Sequence, residues 1–175
     1  MLMHNGALAD PLNKFSKASK LITSKRQKTD ADLEEMSRLD FLGGLYVNNK
    51  SQVIIPSEII EATITNGAKV EKLGKLFKSS VFVNDHSILE YDGPKSPDDL
   101  WKDENFKLVV GVKIGTARIM RTRPKFDKWS CKVEVDYLDE SINEEMITRA
   151  ITKAGILVGV GDWRPKFGRF TIEKL

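Results

Sequence analysis

The stretch SINEEMITRAITKAGILVGVGDWRPKFGRF, residues 141–170, joins an amphipathic helix pattern to a loop rich in glycine, aromatic residues and cations. Ser141 and Glu144 have the spacing of a helix-capping box. Apolar residues then recur every four positions, at Ile142, Met146, Ala150 and Ala154. Phe170 and Ile172 provide the inward face of a closing strand. We therefore predict a core helix that leads through the loop into a last strand.

Two extended segments precede this helix. Residues 107–123 are mostly extended around two glycines, and residues 129–137 alternate strictly between apolar and polar side chains. A period of two with one apolar face is typical of a half-buried strand. The order strand, strand, helix, strand matches half of a ferredoxin-like unit. We predict an α+β fold of the ferredoxin-like (RRM-like) type, an antiparallel sheet with helices packed on one face.

The first half of the chain carries helix-start signals. Thr29 and Asp32 form a variant capping box, and Pro56 followed by Ser57 is typical of a first helical turn. Residues 84–106 are acidic, and we interpret them as an insertion. A length of 175 residues favours a single domain, residues 1–175.

The composition argues against several classes of protein. Hydrophobic residues at 41% and charged residues at 30% are typical of a soluble domain. No apolar run can cross a bilayer and no signal-peptide pattern opens the chain, so the sequence predicts a cytoplasmic location and no membrane partner. No nucleotide-binding P-loop, zinc spacing or paired catalytic acids occur, so we expect no cofactor, no metal site and no catalytic residue.

The positive charges are clustered. Residues 14–28 hold six cations and no acid, and residues 111–132 hold seven cations against one acid. Such segregation favours a positive face for phosphates, although basic runs are often only solvated surface. The candidate phosphate contacts in these runs are Lys25, Arg26, Lys28, Arg118, Arg121 and Arg123. Strand alternation places Arg121 and Arg123 on one face and Arg118 on the other.

The loop VGVGDWRPKFGRF, residues 158–170, favours binding of single-stranded nucleic acid. Its glycines permit close approach of the backbone to phosphates, its cations add charge, and its tryptophan offers a face on which an unpaired base can stack. The candidate residues are Gly159, Gly161, Trp163, Arg164, Lys166, Gly168 and Arg169. The alternative is a closing turn in which Trp163 and Phe167 enter the core and the arginines pair with acids such as Asp162.

The loop resembles the glycine-rich loop of the RAMP superfamily, the ferredoxin-like RNA-binding proteins that form CRISPR effector backbones and process CRISPR RNA. The family pattern G-x-G-x-x-R-x-x-x-G-x-h is filled by Gly159, Gly161, Arg164, Gly168 and Phe170. VIIPSEIIEATITNGA, residues 53–68, is similar to a segment of the backbone subunits where an extended run meets a helix. MLMHNG, residues 1–6, is similar to the end of the family's first strand. The general look of the chain is also similar to small bacteriophage proteins.

The resemblance implies a non-enzymatic module that binds single-stranded RNA or DNA, with RNA favoured. It also implies assembly with copies of itself or with other subunits of a CRISPR-like or phage ribonucleoprotein. A second hypothesis is a phage or host protein-interaction module, such as an inhibitor of a defence complex, which uses the same fold as a scaffold. A third is a metal-free RNA-processing nuclease of the RAMP type that uses His4 or His86.

Overall fold

The computed structural model describes residues 1–175 apart from the side chains of residues 114 and 117. Its helices are α1 (Lys14–Thr23), α2 (Asp30–Gly44), α3 (Ser57–Lys69), α4 (Gly74–Ser80), α5 (Pro97–Lys102) and α6 (Glu144–Lys153). Its strands are β1 (Ile54–Ile55), β2 (Val81–Phe82), β3 (Ser87–Ile88), β4 (Lys107–Ile114), β5 (Ala117–Pro124) and β6 (Asp136–Tyr137).

Along the described backbone, each of these strands has one antiparallel partner. β1 pairs with β3, β2 pairs with β6, and the longer strands β4 and β5 form a hairpin. In the hairpin Lys113 lies opposite Arg118. The α+β class is thus confirmed. The ferredoxin-like order is not confirmed, because that fold joins its strands in one sheet and these pairings are two-stranded.

The chain divides into two compact units. The loop unit consists of Met1–Leu2, Ile54–Tyr91 and Lys128–Leu175, and it contains residues 158–170. The hairpin unit consists of Met3–Val53 and Asp92–Asp127. The acidic segment 84–106 contributes residues to both units, and it contains β3 and α5.

The core of the loop unit forms where α3 packs against α6. Ile60, Ile64 and Ala68 of α3 are buried, as are Ile147 and Ala150 of α6. The two helices approach closely at Gly67 of α3, where a Cβ atom would overlap the carbonyl oxygen of Ala150. This contact therefore requires a residue without a side chain.

An ion-pair cluster also joins α6 to the turn after α3. The Nζ atom of Lys153 donates a hydrogen bond to Oε1 of Glu71 at 2.6 Å, and Nε of Arg149 lies 3.4 Å from Oε2 of Glu71. The hydrogen bond from Lys153 is the largest cause of a lowered pKa of the Glu71 carboxyl, and the charge of Arg149 adds to it. The cluster holds the carboxyl ionised and fixes α6 to the end of α3.

Two pairs of aromatic rings pack within the hairpin unit. The rings of Phe41 and Trp101 lie 5.6 Å apart, and those of Phe106 and Phe126 lie 5.7 Å apart. These ring pairs are within the range in which aromatic side chains attract each other. They fix α2 against α5 and the start of the hairpin against its end.

The predicted starts of two helices are confirmed, and a third is wrong. Thr29 and Asp32 form the capping box of α2, and α3 begins at Ser57. The cap of α6 is Asn143 instead of Ser141, because the Asn143 side chain accepts the backbone N–H of Met146 at 3.0 Å. Within the predicted apolar face, Met146 is only half-buried, whereas the neighbouring Ile147 is buried.

Two predicted strands are also wrong. Within residues 129–137, strand pairing of the backbone is limited to β6 and to an isolated bridge between Ser130 and Glu90. Residues 169–175 form no strand, and Ile172 is 37% exposed. Alternation of apolar and polar residues describes one face of a segment, but a strand also needs a partner for its backbone groups.

Candidate nucleic-acid interface

The glycine-rich loop, residues 158–170, follows a π-helical turn, Ala154–Val158, at the end of α6. The backbone N–H of Gly159 donates to Ala154 O at 2.7 Å, and that of Val160 donates to Gly168 O at 2.8 Å. The second of these bonds closes the loop at its base. Residues 161–167 lie between the two residues that this bond joins.

The glycines of the loop face its own unit. Gly159, Gly161 and Gly168 have φ values of 76°, 88° and 79°. A Cβ atom on Gly161 would overlap the carbonyl oxygen of Leu2, and the next residue, Asp162, donates its N–H to that same oxygen at 2.8 Å. The visible role of Gly161 is thus to let the loop lie against residues 1–2. The predicted approach of these glycines to a phosphate stays a prediction.

Trp163 lies on the surface of the loop. Its side chain is 47% exposed, and its φ of 51° is in the left-handed region that a bulky residue rarely adopts. Such a backbone conformation costs about 1–3 kcal/mol and is typically found at functional positions. The closing-turn alternative placed Trp163 in the core, and the exposure of this side chain shows that this part of the alternative is wrong. Phe167, which the same alternative also placed in the core, is half-buried.

Two aromatic rings and one cation form a small cluster on this loop. The ring centroids of Trp163 and Phe167 lie 5.7 Å apart, and the backbone N–H of Phe167 donates to Trp163 O at 3.2 Å. The Nζ atom of Lys166 lies 4.9 Å from the Trp163 centroid and 6.0 Å from the Phe167 centroid. The indole is therefore held at the surface by its neighbours in the loop.

The loop arginines are available for an anionic ligand. Arg164 and Arg169 are exposed, and neither forms an ion pair within 4.0 Å among the side chains that the structure describes. The closing-turn alternative predicted that such arginines pair with nearby acids. Exposed guanidinium groups and an exposed indole in one loop are residue types that can bind phosphates and an unpaired base.

The other predicted contacts lie in the hairpin unit. Arg118 is exposed, Arg121 forms an ion pair with Asp40 at 3.0 Å, and Arg123 is half-buried opposite Leu108. Lys25 pairs with Asp32 at 2.5 Å, whereas Arg26 and Lys28 are exposed. Acidic side chains of the same unit thus already bind Arg121 and Lys25.

Arg118 lies directly opposite Lys113 in the hairpin. This is a cross-strand pair of like charges, and the sequence alone did not indicate it.

The two histidines lie in different units, and each takes part in a hydrogen bond within its own unit. Nδ1 of His86 accepts the backbone N–H of Ser57 at 3.1 Å, at the start of α3. Pro56, the N-cap residue, has no side-chain acceptor. The imidazole of His86, which is distant in sequence, therefore accepts an N–H of the first helical turn that has no partner within the helix. His4 belongs to the hairpin unit, and its carbonyl oxygen accepts a hydrogen bond from the Tyr46 hydroxyl at 3.1 Å.

The comparisons with known proteins place the chain in no family. No protein-family model, curated protein or solved structure matches it significantly. In the part of the chain that the structure describes, every helix is too short or too polar to span a bilayer. Functional inference therefore rests on the geometry of the glycine-rich loop.

Proposed function

We propose that this protein binds single-stranded nucleic acid, RNA in preference to DNA, through the glycine-rich loop and without catalysis. The observation that supports the proposal is that one loop carries the exposed indole of Trp163 and two exposed arginines that have no ion-pair partner among the described side chains. An unpaired base stacks on such a ring regardless of its sequence. The arginines neutralise the phosphates next to that base.

The proposal extends to the RAMP-like module that the loop pattern resembles. In that form the chain is a ferredoxin-like, non-enzymatic subunit, and copies of it or other subunits assemble with it on one strand of RNA. Arg118, Arg26 and Lys28 of the hairpin unit are secondary phosphate contacts, because their side chains are exposed. Arg121 and Lys25 contribute less, because acids already bind them.

The Arg164→Ala/Arg169→Ala double variant tests this proposal. We expect about tenfold weaker binding of a labelled oligouridine at low salt, because two phosphate contacts are lost. The slope of log affinity against log salt concentration should flatten by about 1.4, which is about 0.7 for each phosphate on a single strand. Fluorescence anisotropy titrations between about 50 and 300 mM salt measure both quantities.

A matched control removes the same charge elsewhere in the loop unit. Lys75 and Lys78 are exposed on α4, so Lys75→Ala/Lys78→Ala lowers the net charge equally without touching the loop. We expect its affinity and salt slope to stay close to those of the parent. If the double arginine variant binds like the parent over the whole salt range, the loop is only a closing turn. The protein-interaction hypothesis would then replace ours.

A further inference from the structure

The three cations of the glycine-rich loop have different surroundings. The ammonium group of Lys166 lies 4.9 Å from the centroid of Trp163 and 6.0 Å from that of Phe167. Arg164 and Arg169 are exposed, and neither forms an ion pair within 4.0 Å among the described side chains. One cation is therefore engaged with the aromatic cluster, while the other two are open to a ligand.

The contact between Lys166 and the indole has an electrostatic cause. The face of a tryptophan ring carries partial negative charge and attracts an ammonium group within about 6 Å. The visible contact of the Lys166 ammonium group is thus with Trp163. Its three N–H donors can also bind an anion from this position, so the salt dependence of binding has to separate the two roles.

This contact also limits the freedom of the indole. An exposed side chain of this size otherwise samples several rotamers and loses that freedom when a base stacks on it. Phe167 lies against the ring at 5.7 Å with an interplanar angle of 44°, and Lys166 covers part of it. Preorganisation of this kind increases affinity without a new contact to the ligand.

We propose that Lys166 is a positioning residue, which holds the Trp163 indole as a one-sided platform for a single unpaired base, while Arg164 and Arg169 bind the phosphates. This inference rests on the proposed function and deepens it, because it names the ligand as a segment with at least one base free to stack. A perfect duplex has no such base within its length. The preference for single strands therefore resides in the Trp163–Lys166 pair.

The test compares Lys166→Gln with Lys166→Arg in anisotropy titrations with oligouridine over a range of salt concentrations. We expect Lys166→Gln to weaken binding about two- to fivefold at every salt concentration, because it removes only a cation–π contact. Its salt slope should equal that of the parent. Lys166→Arg should restore the affinity, since a guanidinium also lies over an aromatic ring.

Tryptophan fluorescence gives a second readout. The signal of Trp163, taken as the difference between the parent and Trp163→Phe, should be quenched by oligouridine in the parent and less completely in Lys166→Gln. The thermal midpoint of Lys166→Gln should match that of the parent, because the side chain is exposed. This result separates positioning of the ring from a general loss of stability.

The possible outcomes are distinct. If the parent fails to bind oligouridine at all, the proposed function itself is wrong and this inference is overturned with it. If the parent binds but Lys166→Gln flattens the salt slope by about 0.7, Lys166 contacts a phosphate and only the inference is overturned. An Lys166→Arg variant as weak as Lys166→Gln would also overturn it.

Discussion

Replacing Gly67 with valine should lower the free energy of unfolding by about 3 kcal/mol or more, the upper range for overpacking a core. A Cβ atom at this position would overlap the backbone carbonyl oxygen of Ala150 and lie 2.7 Å from the Cβ of Ala154. A backbone carbonyl cannot rotate away as a side chain can, so α3 and α6 would have to separate. Equilibrium denaturation by urea measures the change.

Gly67→Ala tests the same contact by the sign of its effect. In an ordinary helix interior, alanine is about 0.8–1.0 kcal/mol more favourable than glycine. We expect the opposite here, because even one methyl group has no room between the helices. Gly6→Ala is the control, since a Cβ atom at Gly6 would meet nothing within 4 Å. A Gly67→Ala variant more stable than the parent would show that α3 and α6 do not pack as described.

Replacing Gly161 with alanine should abolish most binding of single strands. The substitution introduces both a strained backbone, with φ of 88°, and an overlap with the carbonyl oxygen of Leu2. The hydrogen bond from Asp162 N to Leu2 O would be lost, and Trp163 and Arg164, which follow directly, would move with the loop. We expect affinity for oligouridine to fall by at least about tenfold, which corresponds to about 1.4 kcal/mol.

Gly115→Ala separates strain from overlap in this prediction. Gly115 also has a positive φ, 60°, but a Cβ atom there would meet nothing within 4 Å. We expect this variant to carry a small cost in stability and to bind like the parent. A Gly161→Ala variant that binds as well as Gly115→Ala and the parent would show that the contact between the loop and Leu2 has no part in the site.

Local signals in the sequence predicted the starts of helices well. The Thr29 side chain accepts the N–H of Asp32, as the predicted capping box requires. Such caps are formed within one turn of the chain, so the residues that form them are visible in sequence. The prediction that Ser141 caps α6 was wrong because Asn143, two residues later, is an equally good cap and is the one that the helix uses.

Strand pairing was harder to predict because it depends on distant residues. The alternation in residues 129–137 indicated one apolar face, of which Trp129, Cys131 and Val135 are half-buried while Val133 and Tyr137 are exposed. It could not indicate that only Asp136 and Tyr137 find a ladder partner, in β2. The same holds for the last segment, where Phe170 contacts the Trp129 ring at 6.3 Å without joining a strand.

In the candidate site too, some features could be predicted from local sequence and others depend on distant residues or on the backbone conformation. Residue types alone indicated the glycines, the tryptophan and the arginines of the loop. Whether Trp163 was core or surface depended on the backbone conformation of the loop, which the sequence left open. The pairing of Arg121 with Asp40 joins positions 81 residues apart, and no local pattern reports it. The cation–π contact between Lys166 and Trp163 depends on the conformation of the turn as well as on their three-residue spacing, so the spacing alone did not predict it.

The most direct measurement of the central claim is ultraviolet cross-linking of the protein to a uridine-rich RNA, followed by mass spectrometry of tryptic peptides. Trypsin does not cleave between Arg164 and Pro165, so Trp163 falls in peptide 154–166. Our account predicts that this peptide carries the main RNA adduct and that Trp163→Phe strongly reduces it. Adducts confined to peptides of the hairpin unit, or an unmodified peptide 154–166 in a protein that binds the RNA, would contradict the account.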